Sequence, residues 1–389
     1  MGPRKSRRVL IVAGDPSGDC HGALLVRAVR QQAPEVKWEG AGGTHLKAAG
    51  VHLLAHSTAL AAIGLLDALC HVPPALRLLR CLQRQVRQHP PDLAVLIDFG
   101  AFNLRFGRWL RGQGVPVLCY FPPGSWTNSR RRAADVAAIA DKIATPFPKC
   151  LPAYEALGAE VVFVGHPLVD QLQPWAERVQ PAPAEAPKIA LLPGSRPEEV
   201  KHHLPVLLGA AARLRAEFPS AQFVVSVAPH LAAEQVQRFL ARVEGPVETV
   251  VGSAAALAGA TLGLVKSGTV TLEAALLGVP MVVFYRVAWA NYLLGWLTYW
   301  PRPKYIAMPN ILADAPLVPE LVQGAATPTR LAAEAGALLR HATRREAMRQ
   351  ALREAVAALG PPGATARAAK VVLEMLGLSS CLAEEEERS

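Results

Sequence analysis

The run LVKSGTVTLEAALLGVPMVVFYR, residues 264–286, passes through a strand, a turn, a helix and a second strand. Leu264 and Val265 end an apolar run, and Ser267, Gly268 and Thr269 turn the chain. A helical stretch carrying Glu273 comes next, and VPMVVFY (279–285) is apolar and β-branched again. Two apolar strands joined by a helix run parallel, because the return needs a crossover of that length. Outward from this unit the rhythm repeats. KIALLPG (188–194), a helix through LPVLLGAAARLRAEF, QFVVSVAP (222–229), VETVVG and TLGLVKSGT precede it. Earlier still come RVLIVAG (8–14), DLAVLID (92–98), VPVLCYF (115–121), DKIATPFP and AEVVFVGHP. Helical runs alternate with them, such as the one placing Leu24, Leu25, Ala28 and Val29 on one face. Continuous apolar strands alternating with helices predict a parallel sheet covered on both faces.

The rhythm breaks at QLQPWAERVQPAPAEAP (171–187), whose prolines and alanines read as a linker. With 389 residues the chain has room for two domains. The expectation is α/β: two doubly wound, Rossmann-like domains facing a cleft, one over 1–170 and one over 188–345. Helices over 346–378 pack back toward the first domain, and LAEEEERS ends a disordered acidic tail over 379–389. Ligands of such sheets bind beyond the carboxyl ends of the strands.

The formal net charge is +10, and residues 1–180 hold 21 basic against 13 acidic side chains. A basic N-terminal half suits an anionic partner, whether nucleic acid, acidic lipid or a phosphorylated substrate, although biased composition gives the same excess. Six cysteines without a C-x-x-C pair fit neither a zinc site nor a disulfide framework, and suit a reducing cytoplasm. The uncharged stretches 48–66 and 287–301 are too interrupted or too short to span a bilayer at ~20 residues.

Four stretches carry chemistry. Gly194, Ser195 and Arg196 in LLPGSRPEEV end one strand and open a helix, and Ser267, Gly268 and Thr269 repeat the device. Free amides at such helix starts hold anions, and Arg196 adds fixed charge; the alternative is plain capping. No G-x-G-x-x-G or Walker lysine pattern is present. GDPSGDCHG (14–22) is a third glycine-rich turn. Asp98, ending DLAVLID, is a candidate general base or a helix cap, and His21 and His166 are rival bases. PPALRLLRCLQRQVRQ (73–88) sets Leu76, Leu79, Leu82 and Val86 opposite Arg77, Arg80, Arg84 and Arg87. That pattern fits an anionic bilayer or an ordinary surface helix. WANYLLGWLTYWPRPKY (289–305) reads as core, subunit interface or membrane contact.

Taken in order, AGDPSGDCHGALL, PDLAVLIDFGAFNL, FVGHPLVD, LLPGSRPEEV, SGTVTLEA, PMVVFYR and MPNILADAPLVPELVQ resemble the lipid-A-disaccharide synthase family, over roughly residues 8–375. These are GT-B glycosyltransferases of family 19. The resemblance implies inverting transfer of a 2,3-diacylglucosamine from UDP to 2,3-diacylglucosamine 1-phosphate, with no metal and no cofactor. It implies that Asp98 is the base and that Gly194, Ser195, Arg196, Ser267, Gly268, Thr269, Glu273 and Asn310 form the UDP side. Glu273 would hold the ribose. Asp15, Ser17, Gly18, Asp19 and Asn103 would form the acceptor side. It further implies a cytoplasmic enzyme on the inner face of a membrane, no nucleic-acid partner, and a homodimer that exchanges C-terminal parts. Alternatives are a UDP-sugar transferase with another lipid or soluble acceptor, and an inactive UDP-sugar- or membrane-binding paralogue.

The chain departs from the family pattern at four places. Asp15 replaces a usual glutamate, and Ala101 stands where a second aspartate is usual. CYFPPGSWTN lacks the usual Ser-Pro and Trp-x-Trp pattern, and Lys266 replaces a small residue.

Overall fold

The computed structural model describes residues 6–57, 65–125, 128–177, 185–229, 231, 233–241, 245–287 and 304–378. The chain divides into two compact units, Met1–Asp170 with Leu359–Ser389, and Gln171–Ala358.

In the first unit, β1 (Arg8–Ala13), β2 (Lys37–Gly42), β3 (His52–His56), β4 (Leu93–Ile97), β5 (Val117–Tyr120), β6 (Lys142–Thr145) and β7 (Val161–Phe163) form one sheet. Its order is β3-β2-β1-β4-β5-β6-β7, and every pair is parallel. The crossovers are α1 (Pro16–Gln32), α2 (Thr44–Ala48), α3 (Leu65–Gln88), α4 (Gly100–Gly112), α5 (Arg130–Ala137) and α6 (Leu151–Glu155), and α7 (Pro167–Ala176) follows β7. Alternate β1 side chains separate two cores. Val9, Ile11 and Ala13 pack with Leu25, Val26 and Val29 of α1. Leu10 and Val12 pack with Leu79, Leu82 and Val86 of α3 and Phe106 and Leu110 of α4. Strands buried on both faces explain the uninterrupted apolar runs.

In the second unit, β8 (Lys188–Leu192), β9 (Gln222–Val227), β10 (Glu248–Val251), β11 (Leu262–Lys266), β12 (Met281–Tyr285) and β13 (Glu320–Val322) form a parallel sheet ordered β10-β9-β8-β11-β12-β13. Its helices are α8 (Pro197–Glu217), α9 (Ala233–Leu240), α10 (Ser253–Leu257), α11 (Val270–Leu276), α12 (Met308–Ala313), α13 (Pro328–Arg340) and α14 (Ala342–Ala357). The stretch 264–286 is β11, α11 and β12, as its rhythm predicts. A last helix, α15 (Ala364–Met375), returns to the first unit, where Ala368, Ala369, Val372 and Leu373 join the α1 core.

Several boundaries differ from the sequence expectation. Residues 171–176 of the expected linker belong to α7, with Pro174 inside it. Leu168 and Leu172, one turn apart and both buried, anchor that helix despite its proline. The expected break after 345 falls inside α14, which stays with the second unit. The helix expected from Pro73 begins at Leu65 and runs through Pro73 and Pro74. Its apolar face is not free to meet a bilayer: Leu78, Leu79, Leu82 and Val86 are buried against the sheet, while Arg77, Arg80, Arg84 and Arg87 are exposed. The tail 379–389 and most of the aromatic stretch, 289–303, lie outside the described residues. No helix among the described residues is long and apolar enough to cross a membrane.

Candidate active site

In each sheet, chemistry collects where the strand order reverses. The chain leaves β1 toward β2 and β4 toward β5, on opposite sides, so the loops after β1 and β4 are neighbours that diverge. Ala13 pairs with Ile97, which brings Gly14 and Asp98 to the same edge. Gly14 has no room for a side chain, since a Cβ there would meet the Phe99 ring at 2.0 Å.

Asp15 caps α1, its Oδ1 accepting from the Gly18 amide at 2.7 Å. A Cβ on Gly18 would crowd that oxygen. Asp98 lies one residue past β4 and is partly exposed, and its N–H donates to Phe121 O at 3.3 Å. Burial of its carboxyl, followed by the like charge of Asp15, pushes the Asp98 pKa up from 3.8 to about 7. A carboxyl titrating there is matched to general-base work near neutrality. Asn103 is buried and its Nδ2 donates to Ile97 O at 3.1 Å, which secures the carbonyl just before Asp98; its Oδ1 has no hydrogen-bond partner among the described residues.

The rival bases are worse placed. His21 and His166 are both buried, and desolvation lowers the first to about 4 and holds the second well below its usual value. His21 stacks on Phe121 at 4.3 Å between ring centroids, and its Nε2 lies 3.2 Å from the Ser17 hydroxyl. Asp19 is spent on structure. It is buried, and its carboxylate accepts from the amides of Gly43, His45 and Leu46 at 2.6, 2.9 and 3.2 Å, holding the start of α2. Asp15 and Asp98 therefore act on one another, with Asn103 as a support, while Asp19 serves the neighbouring turn.

The second unit repeats the plan at β8 and β11, adjacent strands whose chains diverge. Gly194 has φ +114°, a region that favours glycine, and a Cβ there would strike Glu199 at 2.3 Å. The helix-start amides are not open. Glu199 Oε2 accepts from Ser195 N at 3.0 Å and Arg196 N at 3.4 Å, the reach-back of a capping box. Glu199 Oε1 lies 2.9 Å from Lys266 Nζ and 3.9 Å from the Arg196 guanidinium. Burial alone would raise the Glu199 pKa, but Lys266 and then Arg196 hold it below the usual carboxylate value. His203 ties two strand ends together, with Nδ1 2.7 Å from Pro193 O and Nε2 2.8 Å from Arg286 O. The amides of Ser195 and Arg196, expected to hold an anion, are thus spent on Glu199, while the Arg196 side chain retains 31% exposure.

Ser267 donates its hydroxyl to Ile306 O at 2.7 Å, and Gly268 has φ +144° before Thr269, the residue at the N-cap position of α11. Glu273 is hydrogen-bonded by the Ser253 hydroxyl. Burial raises its pKa, and that hydrogen bond pulls the other way. The Asn310 side chain is engaged within its own unit. It is buried, its Nδ2 donates to Val318 O and Glu320 Oε1, and its Oδ1 accepts from Val318 N, so it pins the loop before β13. A cavity of about 670 Å³ lined by Lys304, Tyr305, Glu320 and Met348 meets the expected donor set only at Asn310 and contains neither strand-end loop. Sequence reasoning missed Glu199 as the organiser of its own loop. The signal was present, because a glutamate three residues after a helix cap is the capping-box spacing.

Two parallel doubly wound sheets, each with polar loops at its reversal of strand order, define an α/β protein of the GT-B class. Solved structures of that architecture match nearly end to end. The putative UDP-N-acetylglucosamine 2-epimerase of Listeria monocytogenes aligns with TM-score 0.64 at 14% identity over 96% of both chains. The glycotransferase of kitacinnamycin aligns with TM-score 0.65 at 17% identity, over 96% of this chain and 100% of that one. The chain belongs to the lipid-A-disaccharide synthetase family, whose model matches residues 9–375. Lipid-A-disaccharide synthase of Anaeromyxobacter dehalogenans strain 2CP-1 is 40% identical, over 96% of this chain and 99% of that protein. The enzyme of that name from Syntrophus aciditrophicus is 37% identical, over 97% of this chain and all of its own length. This chain is a glycosyltransferase of lipid A biosynthesis.

Proposed function

We propose that the chain transfers a 2,3-diacylglucosamine from UDP to 2,3-diacylglucosamine 1-phosphate with inversion, releasing UDP. The observation that carries the mechanism is Asp98, whose carboxyl is held near pH 7 at the reversal point of the N-terminal sheet. Asp98 takes the proton from the acceptor hydroxyl as that oxygen attacks the anomeric carbon opposite the diphosphate. Arg196 meets the charge that grows on the leaving diphosphate. The Ser267–Thr269 loop borders the same ligand, and Glu273 holds the ribose hydroxyls. Asp15 serves Asp98 from the acceptor side by raising its basicity, and Ser17 and Gly18 shape the turn that presents Asp15.

We extend the proposal to a peripheral enzyme on the inner face of a membrane, working as a homodimer. The exposed arginines of α3 supply the attraction to acidic lipid. The test of the mechanism is the pH dependence of kcat/KM. It should rise through about pH 7 and lose that rise in Asp98→Asn; an unchanged profile in that variant would assign the base elsewhere.

A further inference from the structure

Lys266 stands at the end of β11, immediately before the Ser267–Thr269 turn, yet its charge is directed across to the loop after β8. Its Nζ is 2.9 Å from Glu199 Oε1 and 5.8 Å from the centre of the Tyr285 ring, and its side chain is largely buried. Arg196 approaches the same Oε1 only to 3.9 Å and stays more exposed. The other oxygen of Glu199 is committed to the amides of Ser195 and Arg196. Two cations therefore compete for one buried carboxylate oxygen, and the lysine holds the shorter contact. Together Arg196, Lys266 and Glu199 leave one net positive charge. Without the lysine the cluster is neutral, and among the described residues Arg196 is then the close countercharge left to a carboxylate that cannot easily lose its partner.

We infer that Lys266 is a positioning residue for the leaving diphosphate: it neutralises Glu199 and so leaves the Arg196 guanidinium available to an anionic ligand. Its role presupposes that UDP sits at these two loops, as proposed above. The device also bridges the two turns, joining residues 194–199 to 266–269 across the β8–β11 pair. A diphosphate bound there meets the Arg196 guanidinium and a loop whose shape is already fixed, so less ordering remains to be done on binding.

The experiment is calorimetric titration with UDP and, in parallel, with uridine, which lacks the phosphates. Melting curves accompany each variant. Lys266→Met should bind UDP about tenfold more weakly, because Glu199 recaptures Arg196, while uridine affinity stays the same. Lys266→Arg should stay close to the parent. The decisive variant is Lys266→Met combined with Glu199→Gln. The glutamine oxygen still accepts from the loop amides, no buried charge remains to hold Arg196, and most of the UDP affinity should return. Three results would overturn the inference. One is a folded Lys266→Met with UDP affinity within twofold of the parent. Another is a double variant as weak as the single one, which would mean that the lysine itself touches phosphate. The third is a parent chain that binds UDP no better than uridine, which would overturn the donor site itself and with it the part played by Lys266. If Lys266→Met alone does not fold, the double variant decides: near-parental affinity supports the role, and a tenfold loss refutes it.

Discussion

At the scale of single residues, the groups proposed for the two ends of the reaction sit in different electrostatic positions. Asp98 is strained by its surroundings, since its folded pKa of about 7 exceeds the ordinary 3.8. The folded state thus holds that proton more tightly than the unfolded chain does. The resulting stabilisation is complete below about 3.8 and is lost as pH rises to about 7. Asp98→Asn removes a charge that the fold disfavours at pH 8. The variant should melt higher than the parent there, with little difference at pH 4, while turnover falls by ~10²–10⁴. A lower melting temperature at pH 8 would mean that the carboxylate is well solvated. Arg196 is different, because it faces solvent and Glu199 keeps Lys266 when it is gone. Arg196→Ala should leave the melt near that of the parent and cost ~2.7–4 kcal/mol of transition-state stabilisation, mostly in kcat. Arg196→Lys should recover only part of it, since a point charge lacks the forked contact. A large fall in melting temperature with kcat intact would make Arg196 a structural residue.

At the scale of elements, the sequence showed the strands that are buried on both faces and concealed those that are not. β1, β4, β8 and β11 read as apolar runs because both of their faces are covered. β2 escaped notice because KWEGAG carries Lys37 and Glu39, and Glu39 is satisfied through Arg8 and Gln85, distant in sequence. Asp98 and Arg196 were legible as groups at strand ends. The employment of Asp19 and Asn310 was not, since it depends on which backbone amides and carbonyls the fold brings to them. The amphipathic pattern of α3 was real, but pattern alone cannot say whether an apolar face meets a sheet or a bilayer. Here it meets the sheet, leaving only the arginines for lipid. Attachment through α3 should therefore be electrostatic. Vesicle binding should disappear near 1 M salt, where the Debye length is about 3 Å, and in the Arg77, Arg80, Arg84 and Arg87→Gln variant. Sedimentation with anionic vesicles that persists under both conditions would place the contact outside this helix.

At the scale of the whole molecule, the first unit is completed by residues from the far end of the chain. Val371, Val372, Leu373 and Leu376 are all buried, and each such side chain contributes ~1.5–3 kcal/mol. Together they rival the ~5–15 kcal/mol that holds a typical domain. Asp170 accepts from the amides of Gly363 and Thr365 and fixes the start of α15. Deleting residues 364–378 should abolish or sharply lower the calorimetric transition of the first unit and leave that of the second; two unaltered transitions would show the helix to be dispensable. The proposed transfer uses Asp98 as the base and UDP as the leaving group. The purified chain can be incubated with UDP-2,3-diacylglucosamine, with and without 2,3-diacylglucosamine 1-phosphate, and UDP measured together with the sugar product. On the proposed mechanism UDP is released in step with an inverted disaccharide phosphate, only when both substrates are present, and release is lost in Asp98→Asn. UDP release that is indifferent to the acceptor, or that survives in Asp98→Asn, would contradict it.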